Sequence, residues 1–196
     1  MNSQPRLVLA SASPRRRELL SALGLDFEVR LALEQPPELA EGEPSEVALA
    51  NARAKVLALE AAEDELLVGA DTIVVIAGAI LGKPNSAEEA KTMLRRLSGN
   101  RHEVLTGVAV RSREWLEAAV ARTSVWFRPL EEWEIEAYVA TGEPLDKAGA
   151  YGIQERASVF VSHIEGDYFN VVGLPLALLD GLLKKRGCGI LALTLR

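Results

Sequence analysis

The sequence predicts an α/β fold: a mixed β-sheet, with both parallel and antiparallel strands, flanked by helices. Three observations carry that expectation. Short apolar runs of strand character are interleaved with longer segments of helical spacing. The alternation is not strict, and two long strand segments follow each other directly, as antiparallel neighbours do. Capping residues and glycine stops bracket most of the helical segments. The chain has 196 residues, of which 48% are hydrophobic and 26% charged, enough to bury a sizeable core in a single domain spanning 1–196.

Leu7 to Ala10 reads as a buried strand that empties into Ser11-Ala12-Ser13-Pro14-Arg15-Arg16-Arg17. Pro14 pre-sets the first helical position and Ser13 is a good N-cap, with Leu19, Leu20 and Leu23 as the buried face and Gly24 as the stop. Asp26 to Leu33 reads as the next strand, broken by Glu34-Gln35-Pro36-Pro37, and 36–45 as an exposed connection. Ser45 is expected to cap an alanine-rich helix reaching Glu63. Leu66 to Val68 and Ile73 to Ile76 read as strands interrupted by Gly69-Ala70-Asp71-Thr72, and Gly78 turns the chain into Ile80-Leu81.

Ser86-Ala87-Glu88-Glu89 has the form of a capping box, for a helix ending at Ser98-Gly99. Glu103 to Arg111 and Trp115 to Phe127 are the two long strands. A helix over Glu131 to Thr141 is closed by Gly142. The segment 143–156 reads as a loop dense in glycine and charge, Ala157 to Ile164 as a strand, Gly166-Asp167 as a turn and Pro175 to Arg186 as the last helix.

Bulk charge and composition exclude several functions. A net charge of −6 argues against a broad nucleic-acid or membrane-surface footprint, so an anionic ligand must be attracted locally. The longest apolar stretch, Thr72 to Leu81, is about half a membrane span. A single cysteine, Cys188, fits a reducing, cytoplasmic setting. No CxxC, HExxH, GxSxG or phosphate-loop pattern occurs. The two histidines, His102 and His163, read as core-edge or surface residues, and the three tryptophans as packing.

Three charged segments stand out of place. The turn Ser11 to Arg17 aims backbone N–H groups, hydroxyls and guanidinium forks at one point; it is either a phosphate cradle or a capped helix with a solvated basic turn. Asp71 lies in an otherwise apolar strand segment, where a carboxylate binds a metal, pairs with a cation, marks a cleft or is satisfied by backbone in a bulge at Gly69. Lys83 follows a hairpin arm returning toward the same sheet end, and Glu34 ends the second strand, where it is a second carboxylate for Mg²⁺ or a solvated side chain. Glu143 to Gln154 combines glycines for close backbone approach with Asp146, Lys147 and Gln154, polar groups suited to a base or sugar edge.

Together the spaced motifs Ser11-Ala12-Ser13-Pro14-Arg15-Arg16, Gly69-Ala70-Asp71-Thr72, Gly82-Lys83-Pro84, Leu97-Ser98-Gly99, Thr106-Gly107-Val108, Glu143 to Gln154 and Val172-Gly173-Leu174-Pro175 resemble the Maf family of nucleoside triphosphate pyrophosphatases. The resemblance spans nearly the whole chain. It implies an elongated Maf/ITPase-like fold with a central cleft between two lobes, usually as a homodimer. It also implies hydrolysis of a nucleoside triphosphate to the monophosphate and pyrophosphate with a divalent cation, Mg²⁺ or in its place Mn²⁺ or Co²⁺. Arg15, Thr72 and Gln154 match the class that prefers dTTP and UTP over the 7-methyl-GTP class. Two positions depart from the family pattern: Arg53 replaces a lysine, with Lys55 at a further basic position, and Glu155 replaces a glycine.

On that resemblance Asp71 is the proton acceptor for water, offset by metal and Lys83, with Glu34 as the metal-linked partner. Ser11, Ser13 and Arg16 cradle the phosphates, Arg53 and Lys55 add charge, and Arg15, Thr72 and Gln154 read the base. Two rival readings remain open. One is a nucleotide-binding regulator linked to septum formation and division arrest. The other is a house-cleaning pyrophosphatase acting on modified pyrimidine nucleotides.

Overall fold

The computed structural model describes residues 4–194. Among them seven strands form one sheet in the order β2-β1-β3-β5-β6-β7, with β4 paired to β3 off that path. The strands are β1 (Arg6–Leu9), β2 (Phe27–Val29), β3 (Glu65–Ile76), β4 (Ala79–Leu81), β5 (Arg101–Arg111), β6 (Leu116–Phe127) and β7 (Val161–Glu165). β1 runs parallel to both β2 and β3; the other pairs are antiparallel. The helices are α1 (Pro14–Ala22), α2 (Pro44–Leu57), α3 (Ala87–Leu97), α4 (Glu132–Ala140), α5 (Tyr168–Val172), α6 (Leu176–Lys184) and α7 (Ile190–Thr194). The mixed α/β sheet expected from the sequence is the one found.

Helices cover both faces. Against one face α2 buries Ala48, Ala52 and Val56 on Val8, Leu67, Ile73, Val75, Leu105 and Ala109. The other carries the larger core, in which Leu9, Leu20, Val68, Leu94, Leu97, Val108, Leu174, Leu179 and Leu182 are almost fully buried.

Several boundaries differ from expectation, each for a physical reason. β3 is continuous through Gly69 to Thr72, because those residues stay in register with Ala109 to Thr106 of β5. The glycines instead serve close helix approach. A Cβ on Gly69 would stand 2.8 Å from the Ala52 carbonyl oxygen, and one on Gly107 would stand 2.2 Å from that of Ala48. α2 is capped by Glu43, which accepts from the Glu46 N–H, with Pro44 as the first helical residue, so Ser45 lies inside the helix. The helix stops at Leu57 rather than Glu63, where Arg111 Nη1 takes the terminal carbonyl of Val56 at 2.9 Å and, just past the helix, that of Leu59 at 2.7 Å.

β2 is only Phe27–Val29, matched to Leu7–Leu9, because β1 turns away at the Ser-Ala-Ser-Pro segment and leaves Asp26 to Leu33 no longer partner. In α3, Ser86 accepts from the Glu89 N–H, but the Glu89 carboxylate returns to the Asn85 N–H at 2.7 Å, one residue short of a closed box. Arg156–Phe160 is a 3₁₀ helix rather than the start of a strand, and β7 begins at Val161, beside an irregularity between Trp126 and Phe127. The segment 143–150 also carries two 3₁₀ turns. His102 is buried in the core at 1% exposure, not at its edge, and Trp133 is largely exposed instead of packed.

Candidate functional site

The site forms where the parallel strands β1 and β3 part. β1 pairs with Glu65 to Val68 of β3, and β4 with Val74 to Ile76. Between those partners, this edge of β3 pairs with no other strand among the described residues. The chain leaves β1 through Ala10, whose N–H donates to the Val68 carbonyl at 2.8 Å, and swings into α1. A cleft of about 630 Å³ occupies the gap, walled by Ser11 to Arg16, Glu38 and Leu39, Asn51 and Lys55, Asp71 and Thr72, Lys83, Asp146 to Ala148 and Tyr151 to Gln154. Ligand crevices beyond the carboxyl ends of parallel strands have this origin.

Asp71 and Thr72 are adjacent in β3, so their side chains leave opposite faces of the sheet. Asp71, 6% exposed, points toward α2. There Lys55 Nζ lies 2.6 Å from its Oδ1, and Asn51 Nδ2 donates to its Oδ2 at 3.0 Å. Lys55 also meets Glu38 Oε1 at 2.8 Å, so two carboxylates converge on one ammonium. Burial works against the charge on Glu38, but the hydrogen bond and charge of Lys55, with Lys83 and Arg16 beyond, hold its carboxyl below the usual value. Asn51 is itself locked to the connection before α2, donating to the Leu39 carbonyl and accepting its N–H.

Thr72 faces the other side and meets Arg16. That guanidinium is buried and donates to the Gly173 carbonyl at 2.8 Å, to Ser11 Oγ at 2.9 Å and to Thr72 Oγ1 at 3.1 Å. All three acceptors are neutral. Burial lowers the pKa of Arg16 from its ordinary value; Asp71 and Glu38 oppose that shift at a distance and Arg15 adds to it. A buried cation with uncompensated charge and spare N–H donors favours an anion in the cleft. Ser13 stands at the N-cap of α1 but makes no side-chain cap bond; its own N–H reaches Ser11 Oγ at 3.3 Å.

The far wall is the 143–154 segment. Gly149 and Ala150 both adopt left-handed backbone, at φ 67° and 61°, and the Gly149 N–H donates to the Gly82 carbonyl at 3.0 Å. A Cβ on Gly149 would stand 2.9 Å from Val74, so glycine lets the loop lie on β3. Buried Lys147 donates to the Glu143 carbonyl and to Asp146 Oδ1, both at 2.8 Å. Tyr151 packs behind with its hydroxyl 2.8 Å from His102 Nε2.

A family model described as Maf-like protein matches residues 6–186. The chain belongs to the Maf family. A dTTP/UTP pyrophosphatase of Pelotomaculum thermopropionicum is 50% identical over 190 residues, covering 94% of this Maf chain and 98% of that relative. A dTTP/UTP pyrophosphatase of Bacillus cytotoxicus is 48% identical over 185 residues, covering 94% and 97%. The Ham1 protein of Staphylococcus aureus, at 14% identity, shares the fold with a TM-score of 0.51 over 92% of this chain and 99% of its own.

Of the residues singled out in this Maf sequence, Ser11, Ser13, Arg15, Arg16, Lys55, Asp71, Thr72, Lys83 and Gln154 all line the one cleft. Glu34 and Arg53 do not. Glu34 is exposed in the connection after β2, and the carboxylate that reaches the cleft from that connection is Glu38. Arg53 is exposed on α2, two residues from Lys55 and therefore on another face of the helix. The ammonium on Asp71 belongs to Lys55, while Lys83 is exposed on the rim. Asn51 was legible in principle, since it precedes Lys55 by one helical turn. Glu38 carries no such signal among the acids of its connection. Glu155, the departure from the family glycine, turns toward Lys147 at 3.5 Å.

Proposed function

We propose that the cleft hydrolyses nucleoside triphosphates, dTTP and UTP foremost, to the monophosphate and pyrophosphate. The observation that carries this reading is Asp71. It is a buried carboxylate fixed by Lys55 and Asn51 on the edge of β3 left between β1 and β4, in a cleft that also holds the uncompensated guanidinium of Arg16. Identity near one half to relatives named dTTP/UTP pyrophosphatase supports the same reaction and the same bases.

In this mechanism Arg16, Ser11, Ser13 and the first N–H groups of α1 hold the phosphates. Asp71 accepts the proton of a water that attacks the α-phosphorus in line with the departing pyrophosphate, so the bond to the bridging oxygen breaks as the new one forms. Lys55 and Asn51 keep that carboxylate in one orientation. Arg15, Thr72 and Gln154 face the base. Asp71 and Glu38, whose carboxylates converge on Lys55, would supply two hard oxygen ligands to a divalent cation. Bound there, a divalent ion would neutralise triphosphate charge. Glu38 takes the part the sequence suggested for Glu34. The family pattern supports a homodimer, and the single cysteine, Cys188, fits a reducing compartment such as the cytoplasm.

Asp71→Asn tests the assignment. Turnover should fall by about 10²- to 10⁴-fold, the share a positioned base contributes, while nucleotide affinity changes little. Pyrophosphate release near the wild-type rate would remove Asp71 as the base.

A further inference from the structure

We propose that Thr106 sets the base preference of the cleft by fixing the Thr72 hydroxyl as a pure hydrogen-bond acceptor, which selects bases carrying an N3–H against cytosine. This rests on the reading of the cleft as a pyrimidine nucleotide pyrophosphatase in which Thr72 meets the base. Thr72 and Thr106 are cross-strand partners on β3 and β5, with their hydroxyl oxygens 2.9 Å apart. Each hydroxyl has a single hydrogen to give. Thr106 Oγ1 lies 2.9 Å from the Asn170 carbonyl oxygen, which can only accept, so the Thr106 hydrogen goes there. Between the two hydroxyls, therefore, Thr72 donates and Thr106 accepts. Arg16 Nη2, which can only donate, already takes one lone pair of Thr72 Oγ1 at 3.1 Å. Thr72 is left with one free lone pair and no free hydrogen.

The far end of this relay cannot easily turn over. Thr106 and Asn170 are both at 0% exposure, and the Asn170 amide donates to the Val104 carbonyl and to Thr123 Oγ1, both at 2.9 Å. Thr72, by contrast, is half-buried on the cleft wall. The pairing edge of uracil and thymine presents acceptor, donor, acceptor, and its one donor is N3–H. An acceptor-only Thr72 meets that donor, while Arg15, which can only donate, and the Gln154 amide suit the carbonyls on either side. Cytosine presents a lone pair at N3, which would face another lone pair. Water-poor sites reject such mismatches strongly because both groups stay unpaired. A threonine free to rotate would serve either base, so the selectivity belongs to Thr106, a positioning residue outside the cleft wall.

The test compares kcat/KM for UTP, dTTP, CTP and dCTP by pyrophosphate release in the full chain and in Thr106→Val and Thr106→Ser, with urea unfolding alongside. Thr106→Val frees the Thr72 hydrogen and should narrow the UTP-to-CTP ratio by about tenfold or more. Thr106→Ser keeps the relay and should keep the ratio. Equal loss on both nucleotides in Thr106→Val, with the ratio unchanged, would reduce Thr106 to a packing residue and overturn the proposal. Should Thr106→Val fail to fold, N3-methyl-UTP probes the native chain: poor turnover is expected, and turnover equal to UTP overturns the proposal. Wild-type chain that cleaves UTP and CTP equally sinks this inference alone, whereas no pyrophosphate from any nucleotide sinks the functional reading beneath it.

Discussion

His102 is held in β5 with one ring nitrogen on Tyr151 and, among the described residues, no partner for Nδ1. Burial pushes its pKa down from 6.5 to about 4. Between those values the unfolded chain takes up a proton that the native chain refuses. The contribution of His102 to stability is therefore complete above pH 6.5 and falls by about 3 kcal/mol as the pH drops toward 4. His102→Phe should flatten that acid limb in urea-unfolding series from pH 4 to 7, whatever its absolute stability; an unchanged slope would remove His102 as its source. Other single residues were legible to different degrees. Asp71 could be singled out because a carboxylate amid Val, Ile and Leu needs a reason. Its partners could not be read the same way. Lys83 is nearer in sequence, but the ammonium on Asp71 comes from α2, and only the packing of that helix on the sheet decides it.

At the scale of elements, α2 and the sheet are fitted to each other through two glycines. A Cβ on Gly107 would lie 2.2 Å from the Ala48 carbonyl oxygen and 2.5 Å from its carbon, so the backbone itself would have to move. Gly107→Ala should cost about 3 kcal/mol, the upper end of ordinary overpacking, and should lower turnover as well, since α2 carries Asn51 and Lys55. Gly181→Ala in α6 is the control. Its Cβ would meet nothing within 4 Å, and the helix should gain up to about 1 kcal/mol. Equal effects in thermal unfolding would contradict the close-approach account. The Gly69-Ala70-Asp71-Thr72 segment reads locally as a break in a strand; the eleven-residue partner β5 keeps it in the ladder, a tertiary effect no local signal contains. The five-residue helices α5 and α7 are too short to announce themselves and persist through packing of Val172, Ile190 and Leu193.

For the whole molecule, the mixed sheet, the long β5–β6 pair and the capped helices follow from periodicity and capping signals. The cleft does not, because it arises from a topological fact: β1 and β4 share one edge of β3 and leave a gap between them. Residues from widely separated segments then meet there, among them Arg16, Glu38, Lys55, Asp71 and Lys147. Spaced motifs pointed to most of these, while Glu38 waited for the fold. We propose that this gap in the sheet is the site that splits pyrophosphate from pyrimidine triphosphates. The most direct test is a panel of dTTP, UTP, CTP, modified pyrimidine triphosphates and 7-methyl-GTP with Mg²⁺ or Mn²⁺, following pyrophosphate and nucleoside monophosphate together. The expected result is equimolar pyrophosphate and monophosphate, fastest from dTTP and UTP. Release of orthophosphate instead, or of nothing from any nucleotide, would contradict it, and the latter would favour a nucleotide-binding regulator.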